Sequence, residues 1–509
     1  MKKEVIKMKT ILEYLERANL QNSEKIAVVD ENGKYTYNEL LNLSKKIGSA
    51  LSQKTESKNP IPVLMEKGKD TLATFFGISY AGCFYVLLNP DLPKTRLENI
   101  IQVLDAKFII TDNEHLEFAK EITDKEILLL QDLMNSQIDE QKLQEIREQA
   151  LDMDPLYTNF TSGSTGVPKG VVVSHQSVIE FIDNFTEIFN ITENDVIGNQ
   201  APFDFDVSVK DIYSAISTGA TLVVVPKKLF SLPANLLDYI CENKVTTMVW
   251  AVSALCLITT FHALDYKTPE TVNKILFSGE VMPIKHLKQW IEHLPNAMFV
   301  NLYGPTEITC NCTYHIVDKN LNYEKIPIGK SFPNEEVFLL DEENNLITDK
   351  DIQGEICVRG TCLALGYFNN QEQTANRFVQ NPLNNNYIDM IYKTGDLGVY
   401  TDNKDLYFLG RKDFQIKHMG HRIELEEIER AMEKVDGVER SCCIFNEQKG
   451  KINGFYVGNI EKTEVFSYLK DNLPVFMVPN TLTKIDKFPI TKNGKIDRKE
   501  LAQILGGKK

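Results

Sequence analysis

Long apolar runs are missing from this sequence of 509 residues. A membrane-spanning helix needs about 20 consecutive apolar residues, and no stretch comes near that length. The N-terminus, Met1-Lys-Lys-Glu-Val-Ile-Lys7, lacks the continuous apolar core of a signal peptide. Histidine is scarce, with eight residues and no pair at metal-ligand spacing. These absences predict a protein with no membrane span and no zinc site.

Positive charge is also in short supply. Lysine and arginine number 56 against 71 acidic residues, which gives a net charge of −15. Such a balance argues against a general binder of nucleic acid or anionic membranes, although a local basic site for an anionic ligand remains compatible with it. The nine cysteines are scattered, mostly in apolar surroundings, which is typical of reduced, buried thiols rather than of a disulfide framework. We therefore expect a cytoplasmic protein that does not bind nucleic acid.

The first half of the chain alternates short β-runs with helical patterns. The whole chain is longer than a single hydrophobic core supports, so two or more domains are expected. The alternation predicts largely parallel sheets covered by helices, an α/β architecture in which ligands bind at the carboxyl ends of strands. The clearest β-runs occupy residues 61–65, 108–111, 127–130, 221–225 and 248–250.

From about Gly329 the pattern changes to shorter β-runs with turns, which indicates a small β-barrel-like, largely antiparallel region. A compact α+β unit follows Asp413, and its helix is expected over 424–434 with Gly437 as its terminator. We therefore expect a large domain over 1–412 and a small mobile domain over 413–509.

One stretch combines glycines, hydroxyls and a lysine between two β-runs: Thr161-Ser-Gly-Ser-Thr-Gly-Val-Pro-Lys-Gly170. The main-chain N–H groups of such a loop form a concavity that suits phosphate oxygens, and the hydroxyls and ammonium add donors. It differs from the common GxxxxGK[ST] loop because Lys169 is followed by glycine. Alone it could be a polar hairpin, but later motifs favour phosphate binding. The candidate ligands are Thr161, Ser162, Gly163, Ser164, Thr165, Gly166 and Lys169.

Four later motifs each suit part of a nucleotide reaction. In Asn301-Leu-Tyr-Gly-Pro-Thr-Glu307, tyrosine can stack on a base, threonine can donate to phosphate and glutamate can hold Mg²⁺, although a plain Gly-Pro turn fits equally. The run 392–396 is expected to end a strand at Asp396, a plausible acceptor for ribose hydroxyls. Cations follow in 410–417, and 489–498 presents Lys495 in a turn, where a lysine is usually just solvated.

In this order and spacing, the motifs resemble the adenylate-forming superfamily of acyl- and aryl-CoA ligases, luciferases and nonribosomal-peptide adenylation domains. The resemblance runs from Tyr35-Thr-Tyr-Asn-Glu-Leu40 to Asn493-Gly-Lys-Ile-Asp-Arg498. Within that superfamily the chain looks most like the amino-acid-activating branch. The stretches 199–213 and 277–283 are similar to the D-alanine–carrier-protein ligases of teichoic acid alanylation.

The resemblance implies a ligase that uses ATP and Mg²⁺ in two steps. A carboxylate first attacks the α-phosphate of ATP, and the phosphopantetheine thiol of a carrier protein then attacks the acyl-adenylate. The family pattern makes Lys495, Thr306 and Glu307 catalytic, with Glu307 also the Mg²⁺ ligand. It places the β- and γ-phosphates in the glycine loop. The remaining ATP contacts that it implies are Asn301, Tyr303, Gly304, Asp396 and Arg411.

The resemblance also implies a rotation of the small domain between the two steps. Asp413 would be the hinge, and Gly420 would enter beside the thiol tunnel as Lys495 leaves. The chain ends at Lys509 with no carrier domain, so we expect the carrier to act in trans.

Asp206 matches the aspartate that pairs with the α-ammonium of amino-acid substrates; the alternative is a local cap in a turn. Two departures from the D-alanine ligases are evident, namely Ser278 in place of a cysteine and the added polarity of Lys210 and Asn311. The set also resembles pockets for small polar amino acids such as serine, and we expect Lys210 to extend into solvent. The implied pocket residues are Asp206, Val207, Lys210, Val249, Leu276, Ser278, Gly279, Leu302, Cys310 and Asn311.

Two other functions compete with an amino acid–[carrier protein] ligase. An acyl- or aryl-CoA synthetase would activate a plain carboxylic acid, and Asp206 argues against it. A catalytically inactive nucleotide-binding regulator would not need Lys495, Glu307, Asp396 and the intact glycine loop together.

Replacement of Lys495 separates the two steps. Lys495→Ala is expected to abolish adenylation, because the cation that bridges the two anionic reactants is lost, and largely to spare thiolation of preformed adenylate. ATP–pyrophosphate exchange measures the first step and thioester formation the second. Exchange that survives the substitution would contradict this role of Lys495.

Overall fold

The computed structural model describes residues 8–163, 168–401, 404–446, 449–490 and 496–506. It divides the chain into two compact units. The first comprises Met1–Asn89, Leu104–Asn159 and Gly170–Lys412, and the second comprises Pro90–Val103, Phe160–Lys169 and Asp413–Lys509. The segment that we expect to be the small domain thus groups with two short segments from earlier in the chain.

The helices lie mostly in the first unit and are α1 (Leu12–Gln21), α2 (Tyr37–Ser52), α3 (Lys69–Tyr80), α4 (Lys94–Leu104), α5 (Leu116–Ile122), α6 (Leu130–Met134), α7 (Glu140–Gln149), α8 (His175–Ile188), α9 (Val207–Thr218), α10 (Pro233–Glu242), α11 (Val252–Thr260), α12 (Ala263–Tyr266), α13 (Ile284–His293), α14 (Gln371–Arg377), α15 (Leu425–Glu433), α16 (Lys462–Asn472) and α17 (Arg498–Gly506). Within the described ranges, each helix is too short or too polar to cross a bilayer.

The strands in chain order are β1 (Ile26–Asp30), β2 (Gly33–Thr36), β3 (Pro60–Leu64), β4 (Phe84–Leu88), β5 (Phe108–Thr111), β6 (Glu126–Leu129), β7 (Pro155–Thr161), β8 (Lys169–Ser174), β9 (Val196–Asn199), β10 (Thr221–Val224), β11 (Thr247–Ala251), β12 (Lys274–Ser278), β13 (Met298–Tyr303), β14 (Thr313–Ile316), β15 (Lys330–Ser331), β16 (Glu335–Leu340), β17 (Leu346–Ile347), β18 (Gly354–Gly360), β19 (Gly366–Tyr367), β20 (Phe378–Gln380), β21 (Met390–Tyr400), β22 (Leu406–Arg411), β23 (Gln415–His418), β24 (His421–Glu424), β25 (Val438–Asn446), β26 (Lys451–Gly458) and β27 (Thr481–Lys484).

Two sheets have parallel centres, which confirms the predicted α/β class. The first has the order β15-β14-β13-β12-β11-β9-β10-β1-β2, and its strands from β13 to β1 are parallel. The second has the order β19-β8-β7-β4-β3-β5-β6. Every β-run predicted in the first half lies in one of these sheets, because runs of Val, Ile and Leu suit strands that are buried on both faces.

The expected antiparallel region is also present, as a six-stranded sheet of β16, β17, β18, β20, β21 and β22. In the second unit, β25, β26 and β27 form a sheet. Helix α15 buries Leu425, Ile428 and Met432, as the periodicity predicts. It ends at Glu433, however, and Gly437 (φ +93°) lies in the turn before β25 rather than at the helix terminus.

Helices α2 and α3 of the first unit cross where each carries a glycine. A Cβ on Gly48 would lie 2.5 Å from the Cβ of Tyr80, and a Cβ on Gly77 would lie 2.5 Å from Cγ2 of Ile47. Both distances are too short for real carbon atoms, so the missing side chains allow the helices to approach closely.

This crossing predicts the effect of adding one methyl group. In Gly48→Ala, overpacking of about 1–3 kcal/mol opposes the helix preference of about 1 kcal/mol for alanine, and we expect a net loss of stability of up to about 2 kcal/mol. Urea unfolding would measure it. The exposed Asn42→Ala on the same helix is the control, with a change below about 0.5 kcal/mol. Equal stability of the two variants would contradict the close crossing.

Candidate functional site

A buried carboxylate, Asp396, is held by two donors, one from β13 of the nine-stranded sheet and one from β22, which pairs with its own strand. The hydroxyl of Tyr303, the last residue of β13, donates to Asp396 Oδ2 at 2.5 Å. The Arg411 guanidinium, at the end of β22, donates to Asp396 Oδ1 at 2.5 Å. Only 4% of Asp396 and 7% of Tyr303 are exposed, so three of the predicted nucleotide ligands lie together in a cluster that is largely closed to water.

Asp396 does not end a strand, contrary to the prediction. Strand β21 continues to Tyr400, and a bulge interrupts its pairing with β18: Cys357 faces Lys393, whereas Glu355 faces Leu397. Gly395 adopts φ +76° within this bulge, a conformation that glycine reaches without a steric penalty.

The surroundings of Tyr303 change the pKa of its phenol. Burial, and then the negative charge of Asp396, raises the pKa of Tyr303 well above its usual value, so the phenol remains protonated and donates. A carboxylate offers about four lone-pair positions, so Asp396 can accept ribose hydroxyls in addition to these two donors.

Glu307 lies in the 3₁₀ turn Thr306–Ile308 and is fully buried. It accepts a hydrogen bond of 2.7 Å from the hydroxyl of Tyr367 in β19. The described residues include no group of three or more His, Cys, Asp or Glu side chains suited to a metal. Mg²⁺ commonly takes only one or two carboxylates and completes its shell with phosphate and water, so a single carboxylate at Glu307 fits that ion. Tyr367 was not predicted, because nothing local in the sequence marks its partner.

The predicted substrate residues on the parallel sheet share one face. Val249 in β11 pairs with Leu276 in β12, which pairs with Val300 in β13. Because side chains alternate along a strand, Ser278 and Leu302 lie on that same face, toward the carboxyl ends of their strands. Gly279, at φ +94°, follows directly.

The loop after β13 carries two more predicted residues, Cys310 and Asn311. Gly304 brings this loop close to the strand, since a Cβ on Gly304 would lie 2.5 Å from the Cα of Asn311. The other predicted nucleotide residue on β13, Asn301, donates its amide to the carbonyl of Pro327 at 2.8 Å. Gly304 and Asn301, which the sequence assigns to ATP binding, therefore also fix the local backbone.

Asp206 occupies the N-cap position of α9, directly before Val207. Its side chain accepts no capping hydrogen bond from the helix. The thiol of Cys310 lies 3.1 Å from the carbonyl of Asp206. Burial and then the charge of Asp206 raise the pKa of Cys310, and the charge of Lys210 opposes this rise. Asp206 and Lys210 therefore both lie near the Cys310 thiol.

Lys210 is fully buried, so the expectation that it extends into solvent was wrong. Its Nζ donates to Asn311 Oδ1 at 2.6 Å and lies 3.5 Å from Ser278 Oγ. The helical register explains this position: Lys210 follows Asp206 by four residues and so lies on the same face of α9. The sequence contained that spacing, but only the packing of α9 against the sheet shows that this face is buried.

The glycine loop is described in part. Ser164, Thr165 and Gly166 lie outside the described residues, as does Lys495. Within the second unit, the Ser162 hydroxyl donates to the carbonyl of Arg422 at 2.9 Å, and Lys169 Nζ lies 4.0 Å from Glu424 Oε1.

Asp413 and Gly420, which the resemblance assigns to the rotation of the small domain, also lie in the second unit. The main-chain N–H of Gln415 donates to Asp413 Oδ1 at 3.3 Å. Gly420 (φ +80°) and Met419 (φ +54°) form the two-residue turn between β23 and β24, which matches the positive φ angles that such hairpin turns require.

Known proteins share both the sequence pattern and the fold. A family model described as "AMP-binding enzyme" matches residues 15–368. Zwittermicin A synthase ZmaJ of Bacillus cereus is 32% identical over 99% of this chain and 96% of its own length. Bacitracin synthase 1 of Bacillus licheniformis is 31% identical over 98% of the chain, but the chain spans only 9% of that relative.

Two solved structures have the same fold. The adenylation domain AlmE of Vibrio cholerae, in complex with glycyl-adenosine-5′-phosphate, has a TM-score of 0.86 at 23% identity, covering 98% of both chains. Holo-PA1221, a protein with adenylation and PCP domains, has a TM-score of 0.84 at 22% identity, covering 97% of this chain and 84% of its own.

The Tyr303–Asp396 contact predicts a measurable loss of stability. Tyr303→Phe removes one donor from a buried carboxylate, and we expect the free energy of unfolding to fall by about 1.5–3 kcal/mol. Tyr407→Phe, which removes the same oxygen from a half-buried position on β22, is the matched control and is expected to change little. Urea unfolding of both variants would test this, and a similar small effect at both positions would contradict it.

Proposed function

The chain belongs to the family of AMP-binding enzymes, and we propose that it activates an amino acid and transfers it to the phosphopantetheine thiol of a separate carrier protein. In the first step, an oxygen of the amino-acid carboxylate attacks the α-phosphorus of ATP. The bond from that phosphorus to the bridging oxygen breaks, and pyrophosphate leaves. In the second step, the thiol sulfur loses its proton and attacks the acyl carbon, and AMP leaves with the electrons of the acyl–oxygen bond.

The position of Asp206 is the observation that supports an amino acid most directly. Its carboxylate makes no capping bond to α9 and lies near the Cys310 thiol. A carboxylate at this position suits a cationic ligand, because opposite charges attract. The α-ammonium of an amino acid supplies that charge, whereas a plain carboxylic acid does not.

The cluster of Asp396, Arg411 and Tyr303 supports the nucleotide half of the reaction. Asp396 would accept the ribose hydroxyls, and Arg411 would lie near the ribose and phosphate. Glu307 would hold Mg²⁺, which when bound would neutralise phosphate charge. Positioning and neutralisation of charge are the main requirements, since both reactants of the first step are anions.

The substrate that we propose is D-alanine or another small or polar amino acid. The glycyl-adenosine-5′-phosphate of the AlmE structure supports a small amino acid, and the PCP domain of PA1221 supports a carrier protein as acceptor. Ser278 and the buried pair Lys210 and Asn311 favour a polar substrate over alanine.

The products and the amine preference together test this proposal. With ATP and its amino acid, the enzyme is expected to release AMP and pyrophosphate, not ADP, and to support ATP–pyrophosphate exchange. Each amino acid is compared with the matching acid that lacks the α-amino group. We expect at least a tenfold preference for the amine, and Asp206→Asn should reduce this preference because the counter-charge is lost.

Several outcomes would contradict the proposal. Release of ADP would exclude adenylation, and equal use of acids with and without the amine would remove the role of Asp206. Thioester formation with free CoA, but not with a phosphopantetheinylated carrier protein, would support an acyl-CoA synthetase instead.

A further inference from the structure

We propose that Thr394 and Glu355 are positioning residues for Asp396, and that through this carboxylate they set how strongly the enzyme prefers a nucleotide with both ribose hydroxyls. The inference rests on the proposed function, because it takes Asp396 as the acceptor for those hydroxyls. Thr394 lies in β21, two residues before Asp396, and Glu355 lies in the paired strand β18. All three belong to the first unit.

The bulge in β21 displaces main-chain groups from the ladder. Cys357 faces Lys393 and Glu355 faces Leu397, so one residue of β18 lies opposite three residues of β21. Main-chain N–H and C=O groups that lose their ladder partners inside a protein need other partners, because a buried polar group without a hydrogen bond is costly. The residues that supply those partners therefore determine the shape of the bulge.

The hydroxyl of Thr394 supplies two of these partners. It donates to the carbonyl of Ile356 at 2.8 Å and accepts from the main-chain N–H of Asp396 at 2.9 Å. A hydroxyl has one proton and two acceptor positions, so a single oxygen joins the opposite strand to the backbone of Asp396. Thr394 is only 1% exposed, and water therefore has little access to these bonds.

Glu355 holds the residue between Thr394 and Asp396. Its Oε1 accepts from the main-chain N–H of Gly395 at 3.0 Å, and its Oε2 lies 3.3 Å from Lys412 Nζ. The carbonyl of Gly395 accepts from the main-chain N–H of Lys412 at 2.9 Å. Both main-chain groups of this glycine are thus bonded, one toward β18 and one toward the residue that follows β22. These bonds hold its left-handed conformation.

The bonds of the bulge act on the backbone of Asp396, whereas Tyr303 and Arg411 act on its carboxylate. Binding groups must lie within about 0.5 Å of their productive position, and hydrogen bonds weaken steeply when their angle is poor. Loss of the Thr394 hydroxyl would remove a partner from the Asp396 N–H and from the Ile356 carbonyl together. It would displace the acceptor for the ribose hydroxyls without removing it.

A merely structural role for Thr394 and Glu355 makes a different prediction. A looser bulge that only destabilised the fold would lower the melting temperature, and it would weaken the binding of every adenine nucleotide by the same factor. A displaced Asp396 instead weakens only the nucleotides that carry the hydroxyls it accepts from. The ratio of affinities for ATP and its deoxy forms therefore separates the two roles.

Isothermal titration calorimetry of the full chain with Mg²⁺ and ATP, 2′-deoxy-ATP or 3′-deoxy-ATP measures this ratio without the amino acid. Wild type is expected to bind ATP at least about tenfold more tightly than the weaker deoxynucleotide, because hydrogen bonds to a charged acceptor are strong. Thr394→Val keeps the shape of the side chain and removes the hydroxyl. We expect its Kd for ATP to rise about tenfold, and its Kd for the weaker deoxynucleotide to change less than about threefold.

The control variants test the hydroxyl itself. Thr394→Ser should retain the preference for ATP, because serine keeps the hydroxyl. Thr361→Val, directly after β18, removes a buried threonine hydroxyl that has no hydrogen-bond partner within the described part of the chain, and it should keep the wild-type preference. Glu355→Leu is expected to lower the preference as Thr394→Val does, whereas Glu355→Gln keeps an acceptor for Gly395 and should retain it. Thermal unfolding shows which variants are folded.

The results distinguish a failure of this inference from a failure of the proposed function. An equal loss of affinity for all three nucleotides in folded Thr394→Val and Glu355→Leu, or an unchanged preference in both, would overturn the inference. Equal binding of the three nucleotides by wild type would overturn it too, together with the role of Asp396. A preference that is lost in Thr394→Val and kept in Thr394→Ser would support the inference, even where ATP–pyrophosphate exchange with every amino acid fails and overturns the proposed activation.

Discussion

The parallel ladder of β9, β11, β12 and β13 is the constraint on which the site depends. Its hydrogen bonds fix which side chains share a face and bring the ends of separate strands to one edge of the sheet. That face is lined by Val249, Leu276, Ser278 and Leu302, which come from three strands that are well separated in the sequence. Tyr303, the last residue of β13, donates to Asp396. The pairing of these strands therefore positions residues for the amino acid and for the nucleotide of the proposed reaction.

Four ionisable side chains of the candidate site and its surroundings are buried. Lys210, Asp211, Glu307 and Asp396 are all nearly inaccessible to water, and each makes a close contact with a polar side chain. Replacing buried ions with apolar groups is often neutral or stabilising. Under the proposed function, Glu307 and Asp396 are buried because of what they would bind rather than because of what they contribute to folding.

The sequence predicted the layers of the fold well, because strongly apolar β-runs and helical periodicity are local signals. The parallel sheets, the antiparallel region and the apolar face of α15 follow from such patterns. It was less informative where the outcome depends on a distant segment. The bulge that keeps Asp396 inside β21 arises from pairing with β18, and the burial of Lys210 arises from packing against β12 and the loop after β13. Tyr367 meets Glu307 only because β19 joins the sheet of β8.

The missing side chain at Gly304 has a further consequence for how this protein can change. The glycine allows the backbone of Asn311 to rest against the end of the strand that carries Tyr303. Under the proposed function, the residues for the amino acid and those for the nucleotide thus depend on the same backbone contact. A bulkier residue at position 304 would displace the loop rather than any single side chain. If the proposed function holds, specificity could change by exchange of side chains on an unaltered backbone, while movement of the backbone at this point would disturb the sites for both substrates together.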